Sequence, residues 1–296
     1  MGAEGIIDRE RLIELHVHLE GTVRRETAVE LARAKGRPVP PPYDYSDLDG
    51  FFAVYLPVAA LLETAADFER VVVEHAETMA RDGIAYAEIS FNPALHPGLE
   101  WLDGLERGRR LARERSGVEI RWLVELVRGA DTNEVALGVA LQAPGVVGLG
   151  LVGAETIPVA GLAPLIAKAH ARGLRLMAHA GQTGGPDVIR DAVELLSADR
   201  IAHGLSALQD PELCELLVRR DVCLCICPSS NRRIGLRPDY AALAAAGIPL
   251  CVNTDDPAMV GTTLPRELEI AGGLGLDRLA LLANASRHAF RQADLA

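Results

Sequence analysis

Two histidines at alternate positions, His16 and His18, stand near the end of an apolar segment that covers residues 12–19. Successive side chains of a β-strand point to opposite faces, so a strand here places both imidazoles on one face. Imidazole is the commonest metal ligand among side chains, and this pair would supply half of a metal site. The alternative interpretation is a pair of core histidines whose hydrogen bonds are satisfied inside the protein.

Three residues of suitable chemistry follow short apolar runs much further along the chain. They are His179, His203 and Asp255, and a second carboxylate, Asp256, comes directly after the first. Imidazole nitrogens and carboxylate oxygens both bind metal ions in proteins. These downstream residues therefore favour the metal interpretation of the first pair.

Alternating apolar and amphipathic segments indicate the elements that must position these side chains. Eight strand-like runs cover residues 12–18, 84–91, 118–126, 146–151, 174–179, 200–203, 222–226 and 248–253. Helical patterns lie between them, for example at residues 26–36, 67–82, 102–117, 162–173, 187–196, 211–220 and 240–247. Several of these patterns end at a glycine, as helices commonly do. The repeated units predict an α/β fold, a (β/α)8 TIM barrel, with a doubly wound open sheet as the alternative.

The positions of the candidate residues separate these two folds. The histidine pair, His179, His203 and Asp255 fall at the carboxyl ends of the first, fifth, sixth and eighth predicted strands. Barrel enzymes place their chemistry at that end, because all eight strands finish around one opening. An open sheet would scatter the same residues, so their positions favour the barrel.

One segment, residues 38–66, interrupts the alternation. It contains three consecutive prolines and then a concentration of aromatic residues in a chain that is only 4% aromatic: Tyr43, Tyr45, Phe51, Phe52 and Tyr55. We interpret it as a helical insertion after the first strand–helix unit, lying over the barrel mouth and burying an aromatic or heterocyclic ligand. The alternative is a surface flap that packs on itself.

Length and charge bound the class of protein. The chain has 296 residues, 49% of them hydrophobic, which allows one α/β barrel or two smaller domains, and we predict one barrel domain covering residues 1–296. A formal net charge of −11, spread along the chain, argues against a nucleic acid or an anionic membrane surface as the partner. We therefore expect a small-molecule partner, and the sequence leaves the oligomeric state open.

The cysteines and the absence of targeting segments indicate the compartment. Neither a secretory leader nor a bilayer-spanning run is recognisable, so we expect a soluble, cytoplasmic protein. Five cysteines without regular spacing fit a reducing compartment. Cys223, Cys225 and Cys227 alternate along one predicted strand, and we interpret them as small core residues rather than as a thiolate metal site.

With these residues assembled, the chain resembles the adenosine deaminase family of the amidohydrolase superfamily. The resemblance extends over nearly the whole length and rests on motifs in the family's order: His16-Val-His-Leu-Glu-Gly21, Tyr86-Ala-Glu-Ile-Ser-Phe-Asn-Pro93, Gly153-Ala-Glu155, His179-Ala-Gly181, Arg200-Ile-Ala-His-Gly204, Cys227-Pro-Ser-Ser-Asn231 and Asn253-Thr-Asp-Asp-Pro257. The family has a (β/α)8 barrel with one catalytic zinc ion, which agrees with the fold predicted above.

The resemblance implies roles for the residues that match. His16, His18, His179 and Asp255 would bind one zinc ion per chain and leave one position for water. The metal would lower the pKa of that water. Because Asp255 holds the metal that activates the water, we count it among the catalytic residues as well as among the ligands. His203 matches the histidine that takes the proton of the water.

Two further matches concern binding of the substrate, and the positions of the two lysines bear on whether the site holds one metal ion or two. Gly153 matches a glycine whose backbone lies against a purine ring, and Asp256 matches an acid that hydrogen-bonds a ring nitrogen. Relatives with two metals use a carboxylated lysine at a strand end. Neither Lys35 nor Lys168 stands at a predicted strand end, so we expect a single metal ion.

The chain departs from the family pattern at three positions. Gln182 replaces the catalytic glutamic acid that donates a proton to the ring, and an amide cannot transfer a proton. Glu20 stands where adenosine-specific members often have aspartate, and Ser90 stands where arginine is common. Gln182 and Glu20 are expected to contact the substrate, and the departures argue against ordinary adenosine as that substrate.

Three functions are consistent with these residues. The leading hypothesis is a zinc-dependent hydrolase that removes ammonia from an aminopurine-like base or nucleoside. A second keeps the metal but attacks another carbon–nitrogen bond of a heterocycle, and a third is a catalytically impaired homologue that binds a ligand. The complete ligand set and His203 argue against the third. His96, which follows the second strand, is a lesser candidate for ligand contact.

Overall fold

The computed structural model describes residues 11–291, in which eight parallel strands form one sheet in the order of the chain. The strands are β1 Leu12–His18, β2 Ile84–Phe91, β3 Glu119–Val127, β4 Val146–Val152, β5 Arg175–Ala180, β6 Arg200–His203, β7 Cys223–Ile226 and β8 Leu250–Val252. Each strand pairs with the next one along the chain. All eight predicted strands are therefore present, with bounds that differ from the prediction by a few residues at most.

The sheet closes where β8 meets β1. Just beyond β8, Asp255 accepts a backbone hydrogen bond from His18 at 2.8 Å and donates one to the carbonyl of His16 at 3.1 Å. The side chain of Asn253 reaches across as well, where its Oδ1 accepts from the backbone N–H groups of Leu15 and His16 at 2.7 and 3.1 Å. The barrel is thus confirmed, and the open doubly wound sheet is wrong.

Helices surround the barrel. Within residues 11–291 they are α1 Arg25–Ala34, α2 Leu48–Ala59, α3 Ala65–Arg81, α4 Trp101–Ser116, α5 Asn133–Ala140, α6 Ala163–His170, α7 Pro186–Glu194, α8 Pro211–Arg219, α9 Pro228–Arg233, α10 Tyr240–Ala245, α11 Pro257–Val260, α12 Leu264–Gly273 and α13 Arg278–Arg287. Helix α3 shows why the bounds fall where they do, because Thr64 and Asp67 form a reciprocal capping box at its start.

No helix in residues 11–291 is both long enough and apolar enough to cross a membrane.

Two apolar layers build the interior. The larger lies between the sheet and the helices, and the smaller fills the barrel itself with side chains such as Leu15, Leu123 and Met177. Cys223 and Cys225 belong to the inner layer, and all five cysteines are buried and free of disulfides. This confirms the interpretation of the alternating cysteines as core residues.

The amino-end floor of the barrel is closed by a buried ion pair. Arg200, at the start of β6, pairs with Glu88 of β2, and both side chains are 0% exposed. The guanidinium of Arg200 lies 3.6 Å from the centre of the Phe290 ring. The backbone N–H of Phe290 also donates to Glu88. Because a buried charge must be compensated, these contacts fix the C-terminal segment under the barrel.

The aromatic insertion forms helix α2 and lies over the opposite, carboxyl end of the barrel. Asp47 caps this helix by accepting from the backbone of Gly50 at 2.7 Å. Before it, the hydroxyl of Tyr43 donates to the carbonyl of Val23 at 2.9 Å. Phe51 packs on its aromatic neighbours, and the insertion lines the same cavity as the histidines. The predicted position over the mouth is confirmed, and the flap packed on itself is wrong.

Candidate active site

The carboxyl ends of four strands bring the predicted metal ligands together. His16 and His18 end β1, His179 lies near the end of β5, and Asp255 follows β8. The two β1 histidines share one face of their strand, as their spacing predicts. His203, at the end of β6, completes the group, and candidate ligand atoms of His16, His179, His203 and Asp255 lie within 4.8 Å of one another.

Four atoms of this group face one point. The Nε2 atom of His179 lies 3.1 Å from Nε2 of His16 and 3.2 Å from Nε2 of His18. Oδ1 of Asp255 lies 3.1 and 3.3 Å from the same two nitrogens. A tetrahedral zinc site with bonds of about 2.0–2.1 Å has its ligand atoms roughly 3.3 Å apart. The spacing of these four atoms therefore fits a single tetrahedral metal ion.

The far side of each candidate ligand contacts another group of the protein. The four contacts are His18 Nδ1 to Glu125 Oε1 at 2.8 Å, His179 Nδ1 to the carbonyl of Leu151 at 3.1 Å, His16 Nδ1 to Cys227 Sγ at 3.4 Å, and Ser230 Oγ to Asp255 Oδ2 at 2.6 Å. Partners of this kind fix the orientation and the tautomer of metal-binding histidines. They leave each Nε2 atom directed at the shared point.

His203 stands slightly apart from the four converging atoms. Its Nε2 lies 3.9 Å from Oδ2 of Asp255, and the side chain is 1% exposed. Both His203 and Asp255 have a backbone φ of +67°. A non-glycine residue in this left-handed region costs of order 1–3 kcal/mol, and such strain is concentrated at functional sites. The backbone thus turns both side chains inward at the barrel mouth at a cost in stability.

Burial and mutual charge set the ionisation of the cluster. Burial, with the neighbouring histidines, holds the pKa of His179 well below its usual range, and burial lowers the pKa of His203 to about 3. Burial also acts against charge on His18, but the Glu125 carboxylate raises the pKa of that histidine well above its usual value. For Asp255, burial acts against the charge, but the neighbouring His16, His18 and His203 together keep its pKa well below the ordinary value. Without a metal ion, His179 and His203 are therefore neutral and Asp255 is ionised, whereas His18 carries a proton that a bound metal ion would displace.

A cavity of about 470 Å³ opens above the cluster. His18, His179, His203 and Asp255 lie at its base, and α2 contributes an apolar wall: Leu48, Phe51, Phe52, Tyr55 and Leu56. Gly153 lines it as well and has a φ of +100°, and an added Cβ there would lie 3.2 Å from the backbone nitrogen of Arg128. Glycine is therefore required at this point, where the backbone itself faces the cavity.

The loop that carries Gln182 is held rigidly. The carboxylate of Glu155 accepts backbone hydrogen bonds from Gly181 at 2.7 Å, Gln182 at 3.0 Å and Gly184 at 2.9 Å. The side chain of Gln182 lines the cavity, and its Nε2 donates to Oδ1 of Asn231 at 3.1 Å. The position of Gln182 is thus set by both its backbone and its side chain.

Asp256 lies beside the cavity wall and is 4% exposed. Burial and the adjacent Asp255 raise its pKa well above the usual value. Within residues 11–291 its Oδ1 has no hydrogen-bond partner. A Cβ on Gly21 would lie 2.0 Å from that oxygen, so glycine at position 21 makes room for it. That oxygen is buried against Gly21, while Asp256 as a residue lines the cavity, and contact with a ring nitrogen stays a prediction.

Glu20 lies behind the cavity rather than along it. Its side chain is 0% exposed, and Oε1 lies 3.0 Å from Nε2 of His96 and accepts from the backbone of Asn92 at 3.3 Å. Its other oxygen accepts from the hydroxyl of Tyr55 at 3.3 Å. In this structure Glu20 anchors the insertion to the barrel, and a direct contact with substrate stays a prediction. His96 is 3% exposed and its imidazole is occupied by Glu20.

Sequence reasoning assigned no role to several side chains that hold the site together. Glu155, Ser230 and Asn231 lie inside the quoted motifs, and Glu125 is a buried carboxylate in the middle of a strand. A charged residue within an otherwise apolar strand is the one local signal that marks Glu125, because such a charge needs a buried partner. The contacts of the others depend on which loops meet at the mouth.

Comparison with known proteins is consistent with this geometry. The chain matches the family model described as adenosine deaminase over residues 12–295. It is 36% identical over 295 residues to an aminodeoxyfutalosine deaminase from Acidothermus cellulolyticus, a match that spans 90% of this chain and 83% of that protein. It is 33% identical over 271 residues to an adenine deaminase from Rhodospirillum rubrum, spanning 84% of this chain and 81% of that protein.

The fold has a similar match among solved structures. The crystal structure of an adenine deaminase from Arthrobacter aurescens superposes with a TM-score of 0.88 at 28% identity, and the match covers 95% of this chain and 94% of that one. The barrel fold is therefore shared over 95% of this chain.

Proposed function

The chain belongs to the adenosine deaminase family, whose members are hydrolases of carbon–nitrogen bonds other than peptide bonds, and we propose that it is a zinc-dependent enzyme that releases ammonia from an aminopurine-like base or nucleoside. The observation that carries this proposal is the convergence of three Nε2 atoms and one carboxylate oxygen at the base of a cavity of about 470 Å³, where His179 and Asp255 each lie 3.1–3.3 Å from His16 and His18.

His16, His18, His179 and Asp255 would hold the metal ion, because their four facing atoms have the spacing of a tetrahedral site. His203 is nearby but its nearest contact to Asp255 is longer, 3.9 Å, which suits a proton-transfer group better than a ligand. When bound, zinc would lower the pKa of a water molecule so that hydroxide is available at neutral pH.

The chain's own residues would perform the remaining steps. His203 accepts a proton from the attacking water and later gives it to the departing amine. The cavity wall of α2 covers the ring and excludes bulk water, and the Gly153 backbone lies along the ring because no side chain intervenes. Asp256, which lines the cavity, would orient the ring by a hydrogen bond to one of its nitrogens.

The substrate class follows from the cavity and from the relatives. Adenine and aminodeoxyfutalosine, the compounds named for the relatives in Rhodospirillum rubrum and Acidothermus cellulolyticus, both carry an aminopurine ring. Gln182 at the cavity favours a related heterocycle over ordinary adenosine, since an amide cannot protonate a ring nitrogen. The presence of Gln182 also supports a second candidate function, hydrolysis of a carbon–nitrogen bond in a heterocycle that is not a purine.

An ammonia-release screen on zinc-loaded protein tests the proposal. The panel includes adenine, adenosine, aminodeoxyfutalosine, isoguanine and guanine, and each reaction is repeated after removal of the metal with a chelator. We expect release from at least one aminopurine, loss of activity on chelation, and recovery on adding zinc. Release from none of them, or activity that survives complete metal removal, would overturn the proposal.

A further inference from the structure

The side chain of Gln182 is held so that its two terminal atoms have different surroundings. Its Nε2 donates to Oδ1 of Asn231 at 3.1 Å, and Nδ2 of Asn231 donates to the hydroxyl of Tyr240 at 2.9 Å. Asn231 is 0% exposed and Tyr240 is 4% exposed, and neither lines the cavity. The amide nitrogen of Gln182 therefore points away from the cavity into a buried polar network.

The carbonyl oxygen of the same amide is left for the ligand. Among residues 11–291 no group donates to Oε1 of Gln182. This oxygen is also absent from the buried atoms that lack a partner, so it is accessible. The two terminal atoms of a carboxamide diverge from one carbon, so the oxygen faces away from Asn231 when the nitrogen faces towards it. Because Gln182 lines the cavity, it offers the cavity a hydrogen-bond acceptor.

The backbone fixes where the Gln182 side chain starts, so the other terminal atom could face the cavity only if the amide itself turned over. Glu155 accepts from the N–H groups of residues 181–184, at 2.7, 3.0, 3.3 and 2.9 Å, so the loop cannot rotate to present the other amide atom. Turning the amide over in place would set the Gln182 oxygen against Oδ1 of Asn231. Avoiding that repulsion would require Asn231 to turn over as well.

We propose that Gln182 receives a hydrogen bond from the substrate, and that the preferred substrate is a heterocycle whose ring nitrogen next to the amine-bearing carbon already carries a hydrogen. The proposal rests on the deaminase function above and narrows its substrate class. Adenine has a bare nitrogen at this position, and its lone pair would face the lone pairs of Oε1. Isoguanine, the 6-amino-2-oxo purine, carries a hydrogen there and is attacked at the same carbon.

The reaction balances without a proton donor at position 182. The oxygen of water bonds to the amine-bearing carbon, and His203 takes one proton of the water. The displaced electron pair moves to a ring nitrogen other than the one bonded to Gln182, where a neighbouring ring carbonyl delocalises it. The carbon–nitrogen bond then breaks, the amine takes the proton from His203 and leaves as ammonia, and the electron pair restores the ring double bond.

Kinetics on one matched pair tests the substrate preference. We expect kcat/KM for isoguanine to exceed that for adenine by at least about 100-fold, since adenine both loses the hydrogen bond and lacks a proton donor. Equal values, or a preference for adenine, would overturn the inference while leaving the deaminase function in place. Failure of every aminopurine and of metal binding would instead overturn the deaminase function.

Binding of two inhibitors tests the acceptor without turnover. Hypoxanthine carries N–H at the position in question, and 1-deazahypoxanthine has C–H there with almost the same shape. Calorimetry with zinc-loaded protein should give about 10-fold tighter binding of hypoxanthine, the usual effect of one such hydrogen bond. Gln182→Leu should abolish the difference, and equal affinities in the unmodified protein would contradict the proposed acceptor.

A variant at Asn231 distinguishes the two orientations of the amide. Asn231→Asp keeps the acceptor that holds the Gln182 nitrogen and removes the donor that would be needed to hold its oxygen. The preference for hypoxanthine over 1-deazahypoxanthine should therefore survive in Asn231→Asp. If the unmodified protein shows no preference and Asn231→Asp acquires one, Gln182 normally presents its nitrogen, and the inference is wrong.

Discussion

The Nε2 atoms of His16 and His179 lie 3.1 Å apart although 163 residues separate them along the chain. Two nitrogens at this distance need either a shared proton or a shared cation, and Asp255 provides a carboxylate at the same point. We therefore expect about one equivalent of zinc per chain, lost in His179→Ala and in Asp255→Ala together with activity. Elemental analysis of the purified proteins measures this.

The control for this prediction is His170→Ala, which removes a histidine at the end of α6 outside the cluster and should keep its zinc. Two metal ions per chain, or undiminished activity of Asp255→Ala, would show that the single-metal assignment is wrong.

His203 should be needed for turnover but not for the metal. His203→Ala is expected to retain zinc and to lose on the order of 10² to 10⁴ in kcat, the range for a positioned proton-transfer group. KM should change less than kcat, because the imidazole acts on water rather than on the bound ring. Steady-state kinetics and metal analysis on the same sample check both parts. If zinc is lost with the side chain, His203 is a ligand.

Replacing Gln182 by an acid should change which ring is hydrolysed. We expect adenosine to be a poor substrate of the unmodified protein and Gln182→Glu to raise its kcat/KM by roughly 10² to 10⁴, because a protonated glutamic acid can give its proton to the ring nitrogen. Gln182→Met serves as the matched control, having similar length without a proton to transfer. A typical enzymatic rate on adenosine before the substitution would contradict this prediction, as would the absence of any gain after it.

A buried histidine far from the cluster should make the fold sensitive to acid. Burial, with Arg24 nearby, lowers the pKa of His75 to about 4, and its Nε2 has no hydrogen-bond partner within the described chain. The unfolded chain binds a proton there below about pH 6.5 and the folded chain below about pH 4, so stability falls as the pH falls between these values.

This group alone should remove about 2 kcal/mol of unfolding free energy between pH 7 and pH 5. Urea denaturation at both pH values should show a loss smaller by that amount in His75→Leu than in the unmodified protein. The comparison uses the difference between the two pH values, so a general effect of the substitution on stability cancels. Equal losses in the two proteins would mean that His75 is protonated in the folded state.

Apolar runs predict most of this barrel, because its strands are largely buried on both faces. The histidines add to this, because they mark the carboxyl ends of β1, β5 and β6. Helix α5, by contrast, was not named from the sequence. It is short, contains Gly138 and has no side-chain cap at its start, so its pattern is weak. Helices α11 to α13 were not named either, although α12 and α13 are capped by Thr263 and Asp277.

The supporting side chains of the site escaped prediction for a different reason. Glu155 and Asn231 act through residues 26 and 49 positions away from them, and such contacts arise only after the loops have been placed by the barrel. Sequence identifies residue types that can bind a metal ion, but the partner of a glutamate or an asparagine depends on tertiary geometry. Glu20 illustrates the same limit, because its burial behind Tyr55 leaves no trace in its local sequence.

The closing junction of the barrel joins its first and last strands, β1 and β8, through few backbone hydrogen bonds, and the proposed ligands lie on both sides of it. His16 and His18 belong to the first strand and Asp255 follows the last, so a bound cation would link the two strands across this junction. Metal loading and completion of the fold would then be one thermodynamic event, since a ligand that binds only the closed barrel stabilises it by mass action. During synthesis the metal site cannot form until β8 has been made. Removal of the metal should first separate β1 from β8, while the other neighbouring strands stay paired.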